Sequence, residues 1–321
     1  MSILGNVKGA VQVVLLAVVL RFGIDVLFQP TFPVHSSGGV VLTGASSGIG
    51  REAAGALHSL GYTVFAGVRK QKDGDSLEKA FPGIRPVIVD VTSQESIASA
   101  VDTVAASLKA DGLKLVALVN NAGVQKDMPL ELQPADANRF NFEVNVFGLF
   151  DVTRAFLPML RATGRGARIV NVGSMAGLLA APGSASYSGS KFAVEGITDS
   201  LRMEVLDMGI SVSLLQPGYV KSEMGPKLHS ISDQNYGVGP EDYARYAKRV
   251  FEGFFAKDKK LAHDGMPPSE TTTPAIIDAV RSPTPKTRYP VAYIDDFPAW
   301  LFVYIKAVLP DRVMDILTLE I

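Results

Sequence analysis

Two residues that could carry out acid–base chemistry, Tyr187 and Lys191, stand four positions apart in the stretch Tyr-Ser-Gly-Ser-Lys. On an α-helix, residues four apart lie on one face, so the phenol and the ammonium would be neighbours. A free tyrosine titrates at about 10, and a nearby positive charge favours the phenolate, so the lysine is expected to lower the pKa of the phenol. Such a pair also occurs by chance on exposed helix surfaces, so the spacing permits proton transfer without requiring it.

A glycine-rich stretch, Thr-Gly-Ala-Ser-Ser-Gly-Ile-Gly, occupies residues 43 to 50, after an apolar run and before a helical pattern. Glycine lets the main chain approach a ligand closely, and the free N–H groups that begin a helix attract a pyrophosphate. Turn glycines also arise for steric reasons alone, but a strand before and a helix after favour dinucleotide binding. The predicted cofactor contacts in this stretch are Gly44, Ser46, Ser47, Gly48, Ile49 and Gly50.

The end of the second predicted strand indicates which dinucleotide is bound. A carboxylate at this point would hold the ribose hydroxyls of NAD, whereas a cation favours the 2′-phosphate of NADP. The sequence has Arg69 and Lys70 here and no acid. It therefore favours NADP(H) over NAD(H), although the same two bases could equally belong to a solvated loop.

Six short β-branched runs alternate with longer helical segments through the middle of the chain. They are residues 40–43, 63–66, 86–90, 115–120, 168–172 and 210–215. Such alternation predicts an α/β fold, with a single doubly wound Rossmann-type domain whose helices flank a central parallel sheet. Helical period is clearest from Val194 to Val205, where apolar residues recur every three or four positions. We expect this dinucleotide-binding catalytic domain over residues 38 to 295.

Composition excludes several classes of function. The chain has 321 residues, 47% of them hydrophobic, which is enough for a large core. Its formal net charge of -1 gives no electrostatic reason to bind nucleic acid. There are no cysteines, so disulfides, thiolate zinc sites and a cysteine nucleophile are excluded. With only 4 scattered histidines, no metal site is expected.

The amino-terminal end has a separate character. Residues 10 to 28 are apolar apart from Gln12, Arg21 and Asp25, and a membrane helix needs about 20 mostly apolar residues. We therefore expect residues 1 to 37 to form a hydrophobic anchor and linker, and the protein to be membrane-associated. A secretory signal, or a helix packed on the body or on a second copy, are the alternatives.

A second apolar stretch, Phe297 to Ile305, lies near the other end and is too short to span a bilayer. Residues 296 to 321 are expected to form an apolar carboxyl-terminal helical tail. Such a tail could contact lipid, close over a substrate or join two copies in a homo-oligomer. Ordinary core packing is the simplest explanation.

An ordered set of motifs extends these observations. They are Thr43 to Gly50, Asn120-Asn121-Ala122-Gly123, Asn145, Ser174, Tyr187 with Lys191, and Pro217-Gly218. This order resembles the short-chain dehydrogenase/reductase family over about residues 39 to 222, with Ser174 13 positions before Tyr187. The segments 282–289 and 309–312 resemble, more loosely, its steroid and retinol dehydrogenase-like members.

The resemblance implies an oxidoreductase in which Tyr187 exchanges a proton with the substrate oxygen while hydride moves between nicotinamide and carbon. Lys191 would lower the pKa of the tyrosine and hold the nicotinamide ribose. Ser174 would hydrogen-bond the substrate oxygen, and Asn145 would fix a water in the proton relay. A serine closing a turn and an asparagine bending a helix are the simpler explanations of these last two.

The resemblance also implies further cofactor contacts. Beside the adenosine half they are Asp90, Val91, Asn121, Ala122 and Gly123, and beside the nicotinamide they are Pro217, Gly218, Val220 and Ser222, together with Tyr187 and Lys191. Family members usually have Thr where this chain has Ser222, which makes that contact the weakest match.

The substrate is indicated only indirectly. Residues 223 to 285, where members of the family build their substrate pocket, carry no family motif, and Phe251, Phe254 and Phe255 could line a pocket or simply pack. Together with the apolar ends of the chain they favour a small hydrophobic substrate: a steroid, a retinoid or a fatty-chain carbonyl. The alternative is a membrane-tethered dinucleotide-binding sensor or scaffold without turnover, although all four reacting positions hold competent residues. Epimerase or dehydratase chemistry usually comes with a different tyrosine context.

Overall fold

A computed structural model of the chain describes residues 29–221, 239–246, 250, 266–294 and 297–320. Seven strands form its central sheet: β1 Gly39–Leu42, β2 Thr63–Val68, β3 Arg85–Ile88, β4 Leu115–Asn120, β5 Arg168–Val172, β6 Ser211–Pro217 and β7 Arg288–Val291. Their order is β3-β2-β1-β4-β5-β6-β7, and every neighbouring pair is parallel. The predicted doubly wound α/β fold is confirmed. The direction of winding reverses between β1 and β4, where open α/β sheets bind ligands.

Helices cover both faces of the sheet. They are α1 Gly48–Ser59, α2 Gln71–Ala80, α3 Gln94–Asp111, α4 Ala135–Phe142, α5 Gly148–Thr163, α6 Ala185–Glu204, α7 Pro240–Tyr246, α8 Thr273–Arg281, α9 Ala299–Val308 and α10 Asp311–Glu320. A π-helical turn, Glu143–Phe147, joins α4 to α5, and short 3-10 turns occupy Met175–Gly177 and Ser269–Thr272. Strands β8 Tyr293–Ile294 and β9 Phe297–Pro298 form an antiparallel hairpin.

Two apolar layers, one on each face of the sheet, form the core. Strand β1 shows how: Val40 and Leu42 face the layer made with α1 and α8, whereas Val41 faces α3 and α5. Because side chains alternate across a strand and both faces are covered, the central strands are mainly apolar. This burial explains why their runs are readable in the sequence.

Strand β7 is absent from the six runs predicted from the sequence. It lies at the edge of the sheet, where it pairs with β6 from Leu214↔Arg288 to Pro217↔Val291. Pro290 lacks an N–H and interrupts the strand pattern, and proline within sheets is confined largely to edge positions. Because β7 is parallel to β6, its last residue, Val291, lies beside Pro217 at the end of β6.

The residues after the predicted anchor pack on the body of the protein. The N–H of Phe32 donates to the carbonyl of Pro283 (2.8 Å), and buried Arg168 donates to the carbonyl of Pro33 (3.0 Å). The Arg168 guanidinium also lies over the Phe32 ring, 5.3 Å from its centroid. Since Arg168 begins β5, residues 29–35 lie at the amino-terminal ends of the strands. The predicted anchor itself lies outside the described residues.

The carboxyl-terminal helices lie near the opposite side, at the carboxyl ends of the strands. Ala299 and Phe302 of α9 pack with Met175 and Ile294 in a small apolar cluster, while Trp300 remains 51% exposed. One side of the apolar stretch is therefore core, as its simplest explanation predicts. Within the part of the chain that the structure describes, no helix is long and apolar enough to cross a membrane.

Candidate active site

Most of the predicted site residues lie at the carboxyl ends of the central strands. Strand β1 leads into the glycine-rich turn, β4 into Asn121, β5 into Ser174, and β6 into Gly218. These four strands are neighbours in the order β1-β4-β5-β6. Parallel strands place their carboxyl ends together, so residues far apart in sequence meet there.

Tyr187 and Lys191 lie in the first two turns of α6, and both are buried. Ser174 is close enough to Tyr187 for its hydroxyl to lower the pKa of the phenol. Ser174 Oγ also accepts from the N–H of Ala176 (3.1 Å), which caps the following 3-10 turn and orients the serine. A substrate oxygen at this point could therefore be held by the phenol and the serine hydroxyl together.

The ammonium of Lys191 lies close to two other predicted site residues, Tyr187 and Gly123. Its Nζ donates to the carbonyl of Val172 (3.0 Å) and lies 5.9 Å from the centroid of the Tyr187 ring. A methyl group placed on Gly123 would lie 3.6 Å from that Nζ and 3.3 Å from Asn145 Oδ1. The segment after β4, the π turn and α6 therefore converge on one small space.

Asn145 lies in the π-helical turn, a feature that often occurs at functional sites. Its Oδ1 accepts from the N–H of Val124 (2.8 Å), and its Nδ2 donates to the carbonyl of Val124 and to Ser190 Oγ (both 2.9 Å). These bonds fasten the segment after β4 to α6. The water assigned to Asn145 from the sequence stays a prediction.

Burial controls the ionisation of the tyrosine–lysine pair. It raises the pKa of Tyr187 to about 12, opposed by the bond from Ser174 and reinforced by the negative charge of Asp127. It lowers the pKa of Lys191 to about 8. The sequence predicts that the ammonium lowers the pKa of the phenol, but the net shift is in the other direction, because burial takes the phenolate out of water.

Replacing Lys191 by methionine is expected to stabilise the cofactor-free protein at pH 7. The pKa of Lys191 falls from 10.5 in the unfolded chain to about 8 in the fold, so the unfolded chain binds more protons between these values and stability rises with pH there. The buried ammonium therefore destabilises the fold below pH 8 by roughly 3 kcal/mol. The methionine variant would lose the hydrogen bond to the Val172 carbonyl, which is worth about 1 kcal/mol, so its expected net gain in stability is about 2 kcal/mol.

Urea unfolding at pH 7 and at pH 10.5 tests this expectation. The variant should be more stable by about 2 kcal/mol at pH 7 and less stable by about 1 kcal/mol at pH 10.5, where the neutral amine of the wild type still donates to Val172. The exposed lysine variant Lys79→Met is the control and should differ from the wild type by less than about 0.5 kcal/mol. A Lys191→Met protein that is less stable than the wild type at pH 7 would contradict the conclusion that burial destabilises the Lys191 ammonium.

The glycine-rich turn is held by the segment after β4. Asn121 Nδ2 donates to the carbonyls of Thr43 and Gly44 (both 3.0 Å), and Thr43 Oγ1 accepts from the N–H groups of Asn121 and Ala122 (both 3.1 Å). A methyl group on Gly50 would lie 2.3 Å from the Gly44 carbonyl oxygen. Glycine is therefore required here by the packing of the turn itself, in addition to any ligand.

The start of α1 could accept an anion. Gly44 and Gly48 have φ values of +68 and +54, which favour glycine. Ser47 precedes the helix without a side-chain capping bond, and the first turn contains no acid. Ser46 is exposed beside it, and Ile49 packs against the core layer of β1. The free N–H groups of this helix end fit the pyrophosphate of a dinucleotide.

The predicted adenosine contacts lie beside this turn, at the ends of β2 and β3. Asp90 Oδ1 accepts from the N–H (3.0 Å) and the hydroxyl (2.8 Å) of Thr92, and these bonds with the nearby charge of Arg69 hold the pKa of Asp90 below its usual value. Arg69 and Lys70 are exposed, whereas Val91 is buried against Gly148. The cation at the end of β2 thus faces the end of β3.

The predicted nicotinamide contacts follow β6. Gly218 donates to the carbonyl of Val291 (2.9 Å), and a methyl group on it would lie 2.2 Å from the carbonyl oxygen of Tyr293. Val220 is half-buried, and Pro217 ends the strand. Ser222, like Phe251, Phe254 and Phe255, lies outside the described residues.

Two buried asparagines hold these elements together: Asn120, named above only as part of a motif, and Asn171, which sequence analysis missed. Asn120 Nδ2 donates to Thr153 Oγ1 (2.8 Å) and Asn171 Oδ1 (2.9 Å), and Asn171 Nδ2 donates to Thr198 Oγ1 (3.0 Å). This chain of bonds crosses from α5 through β4 and β5 to α6. The sequence feature that could have identified them is a polar residue inside an otherwise apolar strand.

An open cleft of about 610 Å³ has one wall at the start of α6, the helix that carries Tyr187. Its lining residues are Pro129, Leu130, Glu131, Ala181, Pro182, Gly183, Ala185, Tyr246 and Val250. Most are apolar, and Ala185 stands two positions before Tyr187. Tyr246 Oη donates to Glu131 at the rim (2.5 Å). The cleft could therefore hold an apolar molecule next to the start of α6.

Comparison with known proteins matches this geometry to one family. The model of the short chain dehydrogenase family matches residues 39–232. The mitochondrial D-beta-hydroxybutyrate dehydrogenase of Rattus norvegicus is 31% identical over 287 residues, covering 86% of this chain and 82% of the relative. The NADPH-dependent 3-dehydrocapnine reductase of Ornithobacterium rhinotracheale is 32% identical over 283 residues, covering 86% of this chain and 94% of the relative.

Two further matches extend the comparison. The human 11-beta-hydroxysteroid dehydrogenase type 2 is 33% identical over 261 residues, covering 78% of this chain and 63% of the relative. A solved short chain dehydrogenase/reductase from Burkholderia phymatum, in complex with NAD, superposes with a TM-score of 0.63 at 27% identity, covering 76% of this chain and 86% of that one.

Proposed function

The chain belongs to the short-chain dehydrogenase family, in its steroid dehydrogenase-like branch, and on that basis we propose that it is an NADP(H)-dependent oxidoreductase of hydrophobic alcohols or ketones. The family membership makes it an oxidoreductase that acts on hydroxyl or carbonyl groups with NAD(P). The proposal adds the preference for NADP(H) and the apolar nature of the substrate.

The observation that carries the proposed substrate class is the apolar cleft at the start of α6, the helix that carries Tyr187. Its walls of proline, leucine, alanine and valine side chains offer few hydrogen bonds, so they favour burial of an apolar ring or chain. Ser174 and Tyr187, which are not among its lining residues, are the polar groups proposed to bind the oxygen of the substrate. This arrangement suits a steroid, retinoid or fatty-chain carbonyl.

The chemistry follows from the side chains of the site. When bound, the nicotinamide cofactor supplies or accepts the hydride. In reduction, Tyr187 donates its proton to the carbonyl oxygen, and burial keeps the phenol protonated at neutral pH. Ser174 stabilises the charge that develops on that oxygen. Lys191, with a pKa of about 8, can deliver a replacement proton to the phenol.

A substrate screen tests this function. The full chain is assayed with steroid, retinoid and aliphatic alcohols and carbonyls, each with NADP(H) and with NAD(H). Turnover of an apolar carbonyl with NADPH is expected. Cofactor binding without turnover on every panel would favour the membrane-tethered sensor or scaffold and refute the enzyme proposed here.

Arg69 supports the proposed cofactor preference. It is an exposed cation at the end of β2, where a 2′-phosphate would lie. Relatives use both cofactors, as the names of the NADPH-dependent reductase and the NAD complex show, so the choice rests on this chain's own residues.

Replacing Arg69 by aspartate is expected to lower the ratio of kcat/KM for NADPH to that for NADH at least about tenfold, because an ion pair with the phosphate is replaced by repulsion. Steady-state kinetics with both cofactors measures the ratio. Lys72→Asp, the same charge change on α2, should alter it less than about twofold. A wild-type protein that prefers NADH would overturn the proposed preference.

We also propose that residues 10–28 attach the protein to a membrane, because their length and apolar character suit a bilayer. Residues 29–35 pack on the body, so the informative deletion ends at residue 28. The full chain is expected in the membrane fraction and the deleted chain in the supernatant after centrifugation. An unchanged distribution would refute the anchor.

A further inference from the structure

The chain meets the body of the protein directly after its apolar amino-terminal segment. That segment ends at Phe28, and the next residue, Gln29, donates from Nε2 to the carbonyl of Thr284 (2.8 Å). Three residues later, the N–H of Phe32 donates to the carbonyl of Pro283 (2.8 Å). Because consecutive Cα atoms are only about 3.8 Å apart, whatever holds Phe28 must lie against this part of the body.

Hydrogen bonds from the body fix the direction in which the chain leaves it. Arg168 donates to the carbonyls of Pro33 and Ser282 (both 3.0 Å). The hydroxyl of Tyr62 donates to the carbonyl of His35 (2.6 Å). Both donors stand at or just before the start of a strand. The segment therefore cannot swing away from the amino-terminal ends of the strands without breaking these bonds.

The loops that lead into the seven strands form one surface, which we call the amino-terminal face: residues 29–38, 60–62, 81–84, 112–114, 164–167, 205–210 and 282–287. The N–H of Gly166 donates to the carbonyl of Gly209 (2.9 Å), and a methyl group on Gly166 would lie 2.6 Å from the carbonyl oxygen of Pro33. Three apolar side chains in the segments joined by these contacts are 39 to 44% exposed: Val34, Leu206 and Met208. Exposed apolar side chains grouped on one face indicate a surface that binds lipid or protein.

Basic side chains outnumber acidic ones on the amino-terminal face, all of which the structure describes. Its loops contain three cations and one acid, and all four are exposed: Lys114, Arg165, Lys286 and Asp207. A lysine or arginine close to an anionic bilayer contributes about 1 kcal/mol to binding. The combination of apolar and basic side chains therefore suits the headgroup layer of a membrane.

We propose that the amino-terminal face lies on the headgroups of the membrane that holds residues 10–28, and that the carboxyl ends of the strands, with the glycine-rich turn and the cleft, face water. The inference rests on the membrane attachment proposed above and adds the orientation of the body to it. Strand β6 has 7 residues, and a strand rises about 3.3 Å per residue, so the two ends of the sheet are about 20 Å apart. The exposed side of α9 is therefore turned away from this bilayer, and substrate and cofactor enter from the aqueous side.

The sequence offers two probes for the orientation of the full chain, because it has no cysteine and a single tryptophan, Trp300 on α9. Leu206→Cys, carrying a bimane label, is reconstituted into vesicles of phosphatidylcholine and phosphatidylserine, with and without a nitroxide on the phosphatidylcholine headgroup. The nitroxide is expected to lower the fluorescence of the label at least about twofold, and that of Trp300, about 20 Å further from the headgroups, by less than about a fifth. Leu130→Cys, an exposed leucine that lines the cleft, is the matched control, and its label should respond as Trp300 does.

Flotation of the same vesicles separates the two proposals. A full chain that does not float with the vesicles overturns the membrane attachment, and this inference with it. A chain that floats, but whose Leu206 label is quenched no more than the Leu130 label, overturns this inference alone. If that chain also elutes as a dimer from detergent, the amino-terminal face belongs to a second copy. Met208→Cys, in the same loop, repeats the measurement if Leu206→Cys does not fold.

Discussion

Replacing Tyr187 by phenylalanine is expected to lower kcat by about a thousandfold while cofactor affinity changes less than about threefold. The substitution removes the one group placed to exchange a proton with the substrate oxygen, and it keeps the ring that packs at the start of α6. The remaining rate would come from Ser174 and from the positioning of the reactants. Initial rates with the best substrate of the screen, and fluorescence titration of NADPH, measure the two effects.

Tyr62→Phe is the matched control. Tyr62 is also buried, and its hydroxyl donates to the carbonyl of His35 (2.6 Å), at the edge of the sheet away from the reacting groups. This variant should lose about 1 kcal/mol of stability and keep its kcat within about twofold. If Tyr187→Phe retained a tenth or more of the wild-type kcat, the proton-transfer role assigned to Tyr187 would be wrong.

Replacing Gly50 by alanine should weaken cofactor binding by about tenfold to a hundredfold and lower the stability of the protein by about 1 to 3 kcal/mol. The added methyl group would lie 2.3 Å from the Gly44 carbonyl oxygen and 2.4 Å from Asn121 Nδ2, so main chain has to move. That movement would separate the turn from the segment that supports it. Titration with NADPH and thermal unfolding measure the two losses.

Gly196→Ala provides the comparison within a helix. Gly196 lies inside α6, and a methyl group there would meet nothing within 4 Å. Alanine is favoured over glycine in a helix, so this variant should keep its cofactor affinity and gain about 0.5 to 1 kcal/mol. Unchanged NADPH affinity in Gly50→Ala would mean that the turn does not need to pack closely to bind the cofactor.

Much of the fold could be predicted from local patterns. The strands β1 and β4 are readable because both of their faces are buried, which makes every residue apolar except Asn120 at the end of β4. Strand β7 was missed because an edge position tolerates Pro290, which breaks the pattern that identifies a strand. Helix α6 was readable because its apolar period continues for several turns after Lys191.

The sequence by itself determined the order of the βα units and the residue types at the reacting positions, because short-range periodicity and motif spacing depend only on neighbours along the chain. Only the tertiary structure decided which distant residues meet, such as Asn120 with Asn171 and Gly218 with Tyr293. It also decided that the pKa of Tyr187 is raised. The reason is that desolvation depends on every group packed around the phenol, and those groups come from segments that the chain brings together only on folding.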